Sequence, residues 1–169
     1  MNLKTLAVLP VVAAALAGAG AFADDAPPSA ADIAALTAPV QKLVDAINQA
    51  TPVPKGVFAR DAVVLDDFAP YRWSGKTHAR DWYKGLVPTT PKEHDAFVAQ
   101  KGVVKINAAA YPQITGERAY VVFPSSYDYT DGGKRIHQTG QWLFIEEKVG
   151  DAWLIAGHSW AITGQGAAP

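Results

Sequence analysis

The chain has 169 residues, with 15 basic and 16 acidic side chains, a pI near 6.4 and no cysteine. This balance gives no electrostatic ground for nucleic acid or an anionic membrane surface as a partner. The absence of thiols excludes disulfides, thiolate metal sites and cysteine nucleophiles, so burial alone must hold the fold together.

Residues 1–23 have the pattern of an export signal. Lys4 lies in a short basic start, an apolar run extends from Leu6 to Ala17, and Ala21-Phe22-Ala23 supplies small residues for cleavage before Asp24-Asp25. The apolar run is short for a membrane span, and Gly18 and Gly20 loosen the helix at its end. A cleaved peptide is expected, with a periplasmic or secreted product that has no membrane contact after cleavage. The remainder has the length of one domain, expected over 24–163, with a flexible tail of small residues over 164–169.

Ser29 followed by Asp32 forms a capping-box-like helix start. Ile33, Leu36, Val40, Leu43, Val44 and Ile47 then recur at helical spacing up to Gln49. Pro39 lacks an N–H, so it implies either a kink or a second start capped by Thr37. Thr51-Pro52-Val53-Pro54 ends the helix, and a short helical turn over Lys55 to Arg60 leads into the apolar run Val63-Val64-Leu65. Helices are expected around Thr77 to Leu86 and through His94 and Phe97.

The period then changes from helix to strand. Val103 to Ala110, Ala119 to Tyr129, Arg135 to Lys148 and Trp153 to Thr163 read as strands, with turns at Gln113 to Glu117, Thr130 to Gly133 and Val149 to Asp151. Helices first and long strands last give an α+β order with an antiparallel meander. Trp142 and Phe144 alternate with Leu143 and Ile145, so the late strands are apolar on both faces. The sheet is expected to curl around a core on one side and to pair with a second copy on the other, a homodimer through the outer face.

The stretch from Ala59 to Tyr83 carries the most chemical information. It sets Asp66 at the end of a short apolar strand, then a loop with Ser74-Gly75, then an amphipathic helix through Arg80-Asp81-Trp82-Tyr83 that folds back over the strand. In this spacing, from Asp61-Ala62 to Tyr83, the segment resembles ketosteroid isomerases and the wider NTF2-like (SnoaL-like) superfamily. The resemblance implies a cone, a curved antiparallel sheet wrapped around the N-terminal helices with an apolar pocket at its open end. It also implies that Asp66 is a general base, that Tyr83 belongs to the same pocket, and that no cofactor is needed. The chain departs from the isomerases in three places. It has no tyrosine between Ile33 and Gln49, Trp142 stands where their second carboxylic acid would be, and Asp67 stands where proline is usual. A purely structural role for Asp66, hydrogen-bonding the strand end, is the alternative.

Among the histidines, His158 shares a strand face with Ala156 and Trp160, and by resemblance that phase lines the pocket. It would serve beside Asp66 as acid or base, or sit half-buried against a strand neighbour. His78, His94 and His137 have no metal-ligand spacing, His94 is expected to face water, and no metal site is expected. Trp142 and Trp160 are candidates for the pocket wall. Together these readings point to a protein that binds a small, largely apolar ligand. The first alternative is a cofactor-independent isomerase or hydro-lyase acting through Asp66 and His158. The second is a dimeric protein-interaction adaptor.

Overall fold

The computed structural model describes residues 27–76 and 78–168, and the expected export segment lies outside them. Helix α1 (Ala30–Asn48) begins at a capping box. The Asp32 N–H donates to Ser29 Oγ at 3.2 Å, and the Ser29 N–H donates to Asp32 Oδ2 at 3.0 Å. The helix runs unbroken through Pro39, which is buried with Leu36, Val40, Leu43, Val44 and Ile47. Thr37 starts no second helix, because its hydroxyl donates back to the Ile33 carbonyl at 2.7 Å.

Strands β1 (Phe58–Leu65) and β2 (Arg72–Trp73) follow, and then helices α2 (His78–Leu86) and α3 (Pro91–Ala99). Gly56 turns the chain with a left-handed φ of 75°, and strand pairing starts at Phe58 where a helical turn was expected. The rest is β3 (Val103–Ile106), β4 (Ala110–Thr115), β5 (Arg118–Asp131), β6 (Lys134–Val149) and β7 (Ala152–Ala167). The single strand expected over Val103 to Ala110 is thus two strands, both paired with β5. Strand β7 continues past Thr163, and Ala167 pairs with Ile136, so residues placed in a tail by their composition belong to the ladder.

The seven strands form one sheet in the order β2-β1-β7-β6-β5-β3, with β4 also on β5. The α+β class holds, but the expected cone does not. The sheet is open and not strongly curled, and its path ends at β2 on one side and β3 on the other. Those end strands have two and four residues, too little ladder to carry the sheet around the helices. Nor is the sheet wholly antiparallel. β1 lies parallel to β7, a pairing made possible by the long stretch of chain between them.

The helices cover one face, with α1 against β7 and β3 and α2 against β1 and β2. Leu43, Ile47, Val64, Trp82, Phe123, Trp142, Phe144 and Ile155 form the core between the layers. Glu146 lies on this inner face, in phase with Trp142 and Phe144, and its strand neighbours are Ala119 and Ile155. It is fully buried, and neither carboxyl oxygen has a hydrogen-bond partner among the described residues. Burial pushes this acid up to about 8 from its ordinary 4.5.

A raised folded-state value means that the neutral acid supports the fold below pH 4.5, and that this support is lost as pH rises through about 8. Glu146→Gln is therefore expected to flatten the decline in stability over that range, with a gain over wild type on the order of a few kcal/mol by pH 9. Urea denaturation of both proteins across the range checks this, and parallel curves would show that the acid is solvated.

Candidate functional site

Alternation along β1 turns Ala62 and Val64 inward, and Asp66, two residues on, keeps that phase as the strand ends. The loop closes on itself at this point. The Asp66 N–H donates to the Tyr71 carbonyl at 3.3 Å, and the Tyr71 N–H donates to Phe68 O at 2.8 Å. Trp73 then pairs with Val64, which directs the chain into α2 above the strand end. From α2 the Trp82 indole N–H donates to Asp66 Oδ2 at 2.6 Å, while the Asp67 N–H donates to Oδ1 at 2.8 Å. Burial raises the Asp66 carboxyl to about 6, against the lowering effect of these two donors.

Asp66 opens on a cavity of about 170 Å³. Ile47 of α1, Leu86 of α2, Val104 of β3, Phe68 and the faces of Trp82, Trp142 and Trp160 make its wall mostly apolar. Trp142 and Trp160 are cross-strand partners that meet edge to face, with ring centroids 6.2 Å apart. Besides Asp66 and Asp67, polar atoms come from Tyr127, Tyr129 and Gln138. The two tyrosines stack at 4.9 Å, and a Cβ at Gly102 would lie 2.7 Å from the Tyr127 hydroxyl, so glycine leaves room for that ring. The Gln138 amide donates to Gln165 Oε1 at 2.8 Å.

The structure thus brings Asp66, Trp142 and Trp160 to one cavity, whereas His158 and Tyr83 lie elsewhere. His158 is on the inner face beside Phe144 and Val64, fully enclosed by aromatic rings, with the Trp82 centroid at 4.4 Å. The Trp142 N–H donates to His158 Nδ1 at 3.1 Å, which leaves the proton on Nε2, an atom with no partner among the described residues. Burial lowers this imidazole to about 3, so it is neutral. The same bond uses the only donor on Trp142, which is therefore not aimed into the cavity.

Tyr83 is one residue beyond Trp82, about 100° around α2, and is not among the residues lining that cavity. Its hydroxyl donates to the Thr51 carbonyl at 2.6 Å, and burial raises its ionisation above the ordinary tyrosine range. His94 does not simply face water, since its Nε2 lies 3.0 Å from the Ala50 carbonyl. His137 meets Asp128 at 2.7 Å on the phase opposite Trp142. Among the described residues no group of three or more His, Asp or Glu side chains is placed to hold a metal ion.

Sequence reasoning missed Trp82 as a site residue, along with Gln138 and Tyr127. A signal for Trp82 was present, because an indole on the inner side of an amphipathic helix needs an acceptor and Asp66 is the acid at the facing strand end.

No family model and no curated protein matches the chain. Solved structures do resemble it. One is the hexachlorocyclohexane dehydrochlorinase LinA-type3 from Novosphingobium barchaimii, at 9% identity and TM-score 0.65 over 82% of this chain and 90% of that one. A Kribbella flavida protein gives 14% identity and TM-score 0.63 over 80% and 93%. A nuclear transport factor 2 (NTF2-like) superfamily protein from Salmonella enterica gives 16% identity and TM-score 0.56 over 76% and 90%. At such identities the likeness is one of fold: the chain has the NTF2-like arrangement of helices laid on one face of an open, mostly antiparallel sheet.

Proposed function

We propose that the protein binds one small, largely apolar molecule in the cavity beside Asp66, with that carboxyl as its polar anchor. The observation that carries this reading is a carboxyl held by an indole N–H and a backbone N–H in a wall that is mostly aromatic and aliphatic. An apolar protein cavity of about 150 Å³ takes up benzene. The volume here, about 170 Å³, suits a molecule of about one ring bearing a hydroxyl or similar donor.

The raised Asp66 carboxyl favours a second reading, a cofactor-independent isomerase or hydro-lyase in which Asp66 removes a proton. An acid near 6 is matched to proton abstraction at neutral pH, and one structure of similar fold is a dehydrochlorinase. The position of His158 favours binding over catalysis, because a neutral imidazole walled off by Trp82 and Trp142 supplies no second proton group to the cavity. The export pattern of residues 1–23 supports a periplasmic site of action. Among the described residues no helix is long and apolar enough to cross a membrane.

Mass spectrometry of small molecules that co-purify with the native protein tests the site. Wild type is expected to retain a ring-sized compound that Asp66→Asn holds at least tenfold less well. Retention that is unchanged in both Asp66→Asn and the cavity-filling Leu86→Trp would remove the proposal. Conversion of the retained compound by wild type, but not by Asp66→Asn, would establish the second reading over the first.

The homodimer is part of the same proposal. Val63, Gly157 and Ile145 make one cross-strand row on the outer face, and Leu65, Ser159 and Leu143 make the next. Val63, Leu65 and Ile145 are 37%, 45% and 39% exposed, which leaves an apolar band uncovered by the helices. Sedimentation is expected to give a dimer for wild type and a monomer for the Leu65→Glu/Ile145→Glu double variant. A wild-type monomer at micromolar concentration would leave the face to a different protein, the adaptor reading.

A further inference from the structure

Helix α2 separates two spaces. Trp82 and Leu86 face the cavity of Asp66, whereas Ala79, Tyr83 and Val87 form part of the floor of a larger groove of about 660 Å³. Val53, from the connection between α1 and β1, and Phe58 complete an apolar base. Two polar side chains of this region are already engaged, Tyr83 with the Thr51 carbonyl and His94 with the Ala50 carbonyl. Four cations also line the groove: Arg60 on β1, Lys76 in the loop, and Arg80 and Lys84 one turn apart on α2.

No carboxylate lines the groove among the described residues. Asp61, which follows Arg60, is exposed and is not among its lining residues. Like charges one helical turn apart repel, and an anion bound between Arg80 and Lys84 would offset that repulsion. The cavity of Asp66 has the opposite character, with two carboxyl groups and no cation among its lining residues.

We propose that the groove is a second ligand site, for a soluble organic anion with an apolar body. Its carboxylate or phosphate meets Arg80, Lys84, Arg60 and Lys76, and its hydrocarbon covers Val53, Phe58 and Val87. The volume is in the range of sites for drug-sized molecules and several times that of the first cavity. The two spaces therefore differ in both size and charge, and a single kind of ligand would not suit both.

Calorimetric titration with octanoate, below its micelle-forming concentration, tests the site against 1-octanol as the uncharged analogue and acetate as the head group alone. Octanoate is expected to bind at least tenfold more tightly than either, and to weaken about tenfold in the Arg80→Gln/Lys84→Gln variant and in 1 M salt. Amide shifts in NMR should cluster at Ala79, Tyr83 and Val87. Arg60→Gln/Lys76→Gln gives the same readout should the first variant fold poorly. Equal affinity for octanol, equal affinity in the charge-removed variants, or shifts clustered at Val104 and Trp160 would each overturn the proposal. So would binding to phosphatidylglycerol vesicles without binding of octanoate, which would make the groove a membrane contact.

Discussion

The hydrogen bond from the Trp82 indole to Asp66 at 2.6 Å is the contact on which the functional architecture rests. It joins the end of β1 to the middle of α2, so the loop between them is fixed at both ends. It also gives a partly buried carboxyl a donor without taking it away from the cavity, and the second oxygen accepts from the Asp67 N–H of the same loop. Desolvation still outweighs the two donors, which is why the acid stays above its ordinary range. A carboxyl in water would have no such bias, and one fully enclosed would have no access to a ligand.

The same indole decides the fate of His158. Its ring closes over the imidazole with centroids 4.4 Å apart, while Phe58, Phe144 and Trp142 close the other directions. Two groups that a strand diagram would place together as acid and base therefore have the Trp82 indole against both of them, bonded to Asp66 through its N–H and packed on His158. His158 and Glu146 share a chemical condition, each held in its neutral form by burial, with unpartnered polar atoms. Their cost falls on stability, whereas Asp66 is set apart by facing open space.

Helix α2 gives the molecule its two chemical faces. Residues 82 and 86 line one space and 79, 83 and 87 the other, two adjacent stripes whose mean directions are about 80° apart around the helix. A nine-residue helix lying against β1 and β2 thus provides part of the wall of an acidic, aromatic cavity and part of the floor of a basic, open groove. Tyr83 shows how sharply one residue matters: next to Trp82 in sequence, it belongs to the other space.

Much of this was readable from residue order alone. The capping box at Ser29, the apolar stripe of α1, the helix after Gly75 and the three long strands follow from local patterns, because hydrogen-bonding and burial preferences act over a few residues. The inward phase of Asp66, Trp142 and Trp160 follows from alternation for the same reason. Glu146 was equally accessible by phase, though a charged residue invites an outward reading. Other features needed the assembled chain: the parallel pairing of β1 with β7, the continuation of β7 through Gly164 and Gly166, and the open sheet in place of a cone. Each depends on partners far away in sequence and on the lengths of the edge strands, and no local pattern encodes either. The sequence by itself determined which side chains turn inward. Only the tertiary structure decided which of them reach a common space, because that depends on what packs between them, and here the intervening group is the ring of Trp82.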